Sequence, residues 1–112
     1  MAEQPLIMPR RLAIRILHEA QIAQPQSICG WVIARNHQPA DFQLGEGSAA
    51  PLKNLWARCW SHPLAPAVPT ADELTAGGLH LLISLNTKGV LEMRAWELRD
   101  GQPLERILKV KD

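Results

Sequence analysis

The sequence predicts one α+β domain: an N-terminal helix, a long sheet, a short inserted helix and a closing three-strand meander. Three observations lead there. Apolar residues recur at three- and four-residue steps between Arg10 and Gln24, the period of a helix buried along one side. Short apolar runs rich in Ile, Val, Leu and Trp follow, separated by Pro, Gly and Asn. Between two of those runs, Thr70 and Glu73 stand at capping-box spacing, and Gly77-Gly78 follows as a helix stop. The chain has 112 residues, which is one domain's worth of length with a radius of gyration near 13 Å.

Residues 1–8 read as a partly extended lead-in. Pro9 suits the residue before a helix, or its first turn. Along Arg10–Gln24, Leu12, Ile16, Ala20 and Ala23 form the apolar stripe with Ala13 and Leu17 beside it, while Arg11, Arg15, His18 and Glu19 fall mainly on the other side. Pro25 stops the helix, because it lacks the N–H and disfavours helix in Gln24. Ile28–Ala34 is apolar on both faces and reads as a central strand. Asn36–Pro51 reads as loop, with a short edge strand at Asp41–Leu44. Asn54–Trp60 is the next strand, and Ser61–Pro69 a proline-rich loop. The capped helix runs from Thr70 to about Ala76. Leu79–Leu85 places Leu79, Leu81, Ile83 and Leu85 on one face of a strand. Asn86–Gly89 is a turn, Val90–Leu98 a strand, Asp100-Gly101 a hairpin turn, and Leu104–Val110 the last strand.

Composition narrows the function classes. With 46% hydrophobic and 21% charged residues the chain is an ordinary globular one, neither disordered nor a coiled-coil rod. Twelve basic against eleven acidic residues leave a net charge of +1, a poor basis for gripping nucleic acid. No apolar run approaches the roughly 20 residues that span a bilayer, and the N-terminus lacks a signal-peptide pattern. A soluble cytoplasmic protein is expected, with neither nucleic acid nor membrane as partner. Cys29 and Cys59 form no CxxC pair, which excludes a zinc ribbon or a thioredoxin-like site. Both are expected to be packing residues with free thiols.

The stretch that carries chemistry is Trp60-Ser61-His62-Pro63 followed by Pro69-Thr70-Ala71-Asp72-Glu73. It resembles the Mov34/MPN/PAD-1 family, also called JAMM or JAB1 domains, in its small bacterial form. The segment LIMPRRLAIRILHEAQIAQPQSICGWVIAR, residues 6–35, is similar to the family's opening helix, its proline and its strand with a Cys-Gly pair. Cys59–Pro63 matches a strand end that normally reads H-S-H-P, and Pro69–Glu73 matches a P-S-x-x-D segment. LLISL at 81–85 and RAWEL at 94–98 resemble the closing strands. The resemblance covers nearly the whole chain. It implies an MPN/JAB1-like, cytidine-deaminase-like mixed sheet flanked by the N-terminal helix and the short inserted helix.

Active members of that family are zinc peptidases or isopeptidases that trim ubiquitin or a ubiquitin-like sulfur carrier. The resemblance implies two histidines and an aspartate as metal ligands, a glutamate as general base and a serine that helps hold the oxyanion. Three protein ligands leave one open position, where zinc lowers the pKa of its water to about 7. Here the first histidine position holds Trp60, which offers a metal no lone pair. The second holds His62. The third falls on Glu73, with Asp72 one residue short. The serine position is Thr70, and the base position, three residues before Gly30, is Ser27. Serine at neutral pH cannot take a proton as a carboxylate does.

Each position also has a plain structural role. Glu73 fits a capping box and Asp72 a first-turn acid. His62 fits a loop histidine held by hydrogen bonds, and Ser27 a strand-entry residue. Trp60 fits an apolar plug in the metal position. Cys59 could complete a Cys59/His62/Glu73 set, but strand alternation turns it away from His62. His18, His37 and His80 read as surface or boundary residues, and Trp31, Trp56 and Trp96 as core or sheet-face aromatics. The leading expectation is a non-catalytic domain that binds a protein partner, such as a ubiquitin-like protein or its C-terminal tail, with no cofactor. One alternative is a JAMM-type zinc peptidase with altered ligands, using His62, Glu73 and Zn2+. Another is an assembly module that forms a homodimer.

Overall fold

The computed structural model describes residues 5–24, 26–45, 54–62, 67–74, 78–87 and 90–111. Strand β1 (Leu6–Pro9) leads directly into helix α1 (Arg10–Ile22). Pro9 is extended at the helix start, where its missing N–H costs nothing. The helix buries Leu12, Ala13, Ile16 and Ala20, the stripe its sequence period predicts. Pro25 lies outside the described residues.

Strands β2 (Cys29–Arg35), β3 (Gln38–Leu44), β4 (Leu55–His62), β5 (His80–Thr87), β6 (Val90–Arg99) and β7 (Gln102–Arg106) form one sheet in the order β3-β2-β4-β5-β6-β7. Strand β8 (Leu108–Lys111) leaves that sheet and pairs in parallel with β1. In the main sheet β4 and β5 are parallel and every other neighbouring pair is antiparallel. The sheet is therefore mixed, and the fold class is α+β. The parallel pair requires a crossover, since a tight turn can only reverse the chain. Residues 63–79 make it. Within the crossover a 3-10 turn, Asp72–Leu74, stands where the capped helix is expected. Residues 75–77 lie outside the described set, so the expected helix end there does too.

Several expected boundaries change. Strand β4 runs on through Ser61 and His62, expected in the proline-rich loop, because both pair with β5. The edge strand is longer than Asp41–Leu44, because Asn36 and His37 both take positive φ and close a two-residue hairpin at once. Asn tolerates that conformation well, but the pair lacks the glycine that usually marks it. The last strand, expected as Leu104–Val110, is two strands. The chain breaks at Ile107, whose carbonyl accepts the Leu6 N–H at 2.8 Å, and β8 goes on to β1. At Asp100-Gly101 both residues take positive φ, as the predicted hairpin requires.

Two apolar clusters sit on opposite faces of the sheet. On the helix side Met8, Leu12, Ile16, Val32, Phe42, Ala57, Cys59, Leu81, Ile83 and Ala95 pack together, with Leu79 and Leu85 against them. On the other side Ala67 and Leu74 of the crossover cover Leu82 and Trp96, with Trp60 and Leu98 against them. Leu79, Leu81, Ile83 and Leu85 thus share a face as expected. Cys59 is buried, and burial pushes its thiol pKa up. Cys29 is exposed, against the expectation of a packing residue. It lies opposite Trp60 in the ladder and so faces away from the helix. His80 is also corrected. It is buried rather than at the surface, between Arg58 and Trp96 in the register.

The Cα radius of gyration is 13.2 Å. No helix is long and apolar enough to cross a membrane among the described residues.

Gly30, of the Cys-Gly pair, explains itself sterically. A Cβ there would stand 2.3 Å from the Gln43 carbonyl oxygen and 2.9 Å from the Phe42 ring. Backbone cannot yield as a flexible side chain can, so β3 approaches this closely only because residue 30 has no side chain. Gly30→Ala should destabilise the fold by about 2–3 kcal/mol, read as a lower urea midpoint with an unchanged m-value.

Candidate functional site

The site lies at the carboxyl end of β4, where the crossover leaves the sheet. Alternation along β4 decides which residues it contains. Ala57, Cys59 and Ser61 are buried toward the helix side, while Trp56, Arg58, Trp60 and His62 are half-buried. Trp60 and His62 are two residues apart on the crossover side, close enough for their rings to meet.

Ser61 locks this register. It is 2% exposed, its Oγ accepts the Ile28 N–H at 2.8 Å, and its own N–H donates to the Ile28 carbonyl at 3.1 Å. The ends of β2 and β4 are thereby clasped beneath the site. Ser27, one residue before Ile28, is exposed at the same end.

Above the clasp runs a chain of polar contacts. The Trp60 indole Nε1–H donates to His62 Nε2 at 3.2 Å. The same nitrogen is 3.4 Å from Glu73 Oε2. Glu73 Oε1 accepts the Thr70 N–H at 2.8 Å, and the Glu73 N–H donates to Thr70 Oγ1 at 3.3 Å. The last two bonds are the reciprocal pair of a capping box, as the Thr-x-x-Glu spacing predicts. Asp72 stands in the first turn beside Glu73. The structure thus brings Trp60, His62, Glu73 and Thr70 together. It places Cys59 on the opposite face, away from His62.

Two further residues build the site and were not singled out for it in the sequence. His80 meets Trp60 edge to face, with ring centroids 5.1 Å apart and planes at 75°. Trp96 sends its indole N–H to the Ala67 carbonyl at 3.0 Å and pins the start of the described crossover. Neither has a local signal, since both contacts join segments far apart in sequence. Beside Trp96, Arg94 lies over the indole ring at 5.0 Å and holds Glu105 through two bonds of 2.7 and 2.6 Å. Those bonds hold the Glu105 carboxyl below its usual pKa and raise that of Arg94. On the β2 side of Trp60 a shallow cavity of about 160 Å3 is lined by Cys29, Trp31, Arg58 and Trp60.

A catalytic zinc ion needs three protein donors with bare lone pairs. Here the donors at the end of β4 and in the 3-10 turn are His62 and Glu73. Each is already engaged with neighbours in the fold. Among the described residues no group of three His, Cys, Asp or Glu side chains could share an ion. The described residues do not fit the metal. Ser27, where the resemblance puts the base, carries a hydroxyl and no carboxylate.

No family model matches the chain, and no curated protein matches it in sequence. Solved structures do match in fold. Protein DSY2949 from Desulfitobacterium hafniense superposes with a TM-score of 0.72 at 15% identity, over 96% of this chain and 93% of that one. AF2198, a JAB1/MPN domain protein from Archaeoglobus fulgidus, gives 0.67 at 18% identity, over 95% and 99%. A structure described as JAMM, a metalloprotease-like zinc site in the proteasome and signalosome, gives 0.64 at 18% identity over the same shares. What the chain shares with them is the fold.

Ser61→Ala should remove the acceptor beneath the site and strand the Ile28 N–H. The expected cost is about 1–3 kcal/mol, measured by chemical denaturation, with faster amide exchange at Ile28 than in the parent.

Proposed function

From the JAB1/MPN fold that this chain carries, we propose that it is a non-catalytic domain that binds a protein partner, a ubiquitin-like protein engaged through its C-terminal tail. The observation that carries this reading is the state of the donor set. The positions that would hold a hydrolytic metal supply His62 and Glu73, both committed to neighbours within the fold. With no third ligand among the described residues, and with Ser27 at the expected base position, those residues favour binding over activation of water.

The scaffold around those positions is intact, which supports a retained binding role. The cavity beside Trp60 offers a place for the end of an extended tail. Half-buried Trp60 presents aromatic surface there, buried Trp31 lines the cavity beside it, and Arg58 adds a cationic group suited to a terminal carboxylate. Tails of this kind are recognised in extended form, with backbone bonds for affinity and side-chain pockets for selectivity. The convergence of His62 on Glu73 at 3.4 Å favours the alternative, a zinc peptidase with altered ligands, and the same experiment separates the two.

The chain is titrated with a ubiquitin-like protein, with and without its C-terminal tail, in the presence of zinc. Calorimetry reads binding and intact-mass analysis reads cleavage. The expected result is a complex that weakens about tenfold, or 1.4 kcal/mol, when the tail is removed or in Arg58→Glu, with the tail left whole. Cleavage would establish the altered peptidase instead. Absence of binding to either form would overturn the proposed partner.

A further inference from the structure

We propose that this chain carries a second docking surface, on its helix side, for an acidic peptide segment with a bulky apolar residue at its centre. The surface is the outer face of the β1–β8 ribbon together with the first turns of α1. The proposal goes beyond the tail reading, because the tail cavity lies on the crossover side of the sheet.

Alternation and register put the side chains in place. Met8 is fully buried, so Ile7 and Pro9, on either side of it, face outward. Lys109 pairs with Ile7 and Lys111 with Pro9, and paired residues project to the same face. Ile7 is 41% exposed, and both lysines are exposed. Pro9 leads into α1, where Pro9, Arg10, Arg11 and Ile14 line a cavity of about 400 Å3. Ile14 is 59% exposed, a large aliphatic group at solvent beside that cavity. The surface is thus an apolar strip of Ile7, Pro9 and Ile14, bordered by two arginines and two lysines.

Charge decides what fits. The described part of the ribbon holds no acidic residue. The first turn of α1 has none, and the first acid along the helix is Glu19. Asp41, on neighbouring β3, is taken up by Arg15 and by the Phe42 N–H. A chain whose net charge is only +1 therefore gathers cations around one apolar strip. Such a patch attracts carboxylates, and arginine holds them with paired hydrogen bonds. The cavity falls at the small end of the roughly 300–1,000 Å3 range of ligand clefts, and its open form suits a side chain presented by a peptide.

Other polyanions fit less well. A single strand of nucleic acid uses aromatic platforms for its bases, and Ile7, Pro9 and Ile14 offer none. A membrane surface takes a broad apolar helix face, whereas Leu12, Ala13, Ile16 and Ala20 of α1 are committed to the core.

The test uses the full chain and no ubiquitin-like protein, so its failure and that of the tail reading are separate. The probe is a blocked peptide of about ten residues, with glutamates flanking a central leucine pair. Its control has glutamine in place of every glutamate. Fluorescence anisotropy of the labelled peptides reads affinity, and amide NMR shifts read place. The glutamate peptide should bind, with shifts centred on Ile7, Arg11, Ile14 and Lys109, and the control should bind about tenfold more weakly. The double variant Arg11→Glu/Lys111→Glu should show a similar loss, and Ile14→Ser about a fivefold one. All three positions are exposed, so the variants keep the fold. Raising salt from about 0.1 M to about 1 M, which shortens the screening length from about 10 Å to about 3 Å, should also weaken binding about tenfold. No binding, equal binding of the two peptides, or shifts confined to another face would each overturn the proposal. So would tighter binding of oligouridylate or of phosphatidylserine vesicles, or a dimer of the chain that shields the same amides.

Discussion

The register of β4 is the constraint on which the rest depends. Each residue of this strand belongs to one face or the other, and the two faces have different jobs. Ala57, Cys59 and Ser61 complete the core beneath α1, while Arg58, Trp60 and His62 build the site on the crossover side. A slip of one residue would exchange the two sets, placing Arg58 and His62 in the core and Cys59 at the site. Two features oppose it. Ser61 exchanges two hydrogen bonds with Ile28 in a buried setting, and β2 and β5 hold β4 from opposite sides. The same register leaves Cys29 exposed opposite Trp60 and buries His80 beside it.

On that frame, the Trp96 indole N–H fixes the start of the described crossover by bonding the Ala67 carbonyl. Leu74 is fully buried, so apolar burial supplies bulk attraction and the indole supplies position. The approach of His62 to Glu73 adds little stability by itself, because the Glu73 side chain is 38% exposed. Among the described residues the donors there are His62 and Glu73 alone, and for that reason binding, rather than hydrolysis, is the function we propose.

Local signals were legible in the sequence and distant ones were not. The α1 stripe appears in its period, the capping box in Thr70 and Glu73, and the Asp100-Gly101 turn in its dipeptide, because each is decided within a few residues. The alternation that turns Cys59 away from His62 is equally local. The hairpin at Asn36-His37 escaped because two non-glycine residues accept positive φ there. The split at Ile107 escaped because β8 is captured by β1, the opposite end of the chain. Burial of His80 and the engagement of Trp96 depend on partners across the sheet and on the crossover. The order of the W-S-H-P and P-T-A-D-E segments did carry the fold, because their spacing reflects the strand end and capped turn that the sheet brings together. How Trp60 is hydrogen-bonded could be read only from the structure.

The central claim is that the donors His62 and Glu73 do not hold zinc, and metal content observes it directly. The wild-type chain is incubated with zinc, desalted and measured for metal by mass spectrometry. The account predicts almost no zinc retained. About one zinc per chain, lost in His62→Ala, would contradict the account.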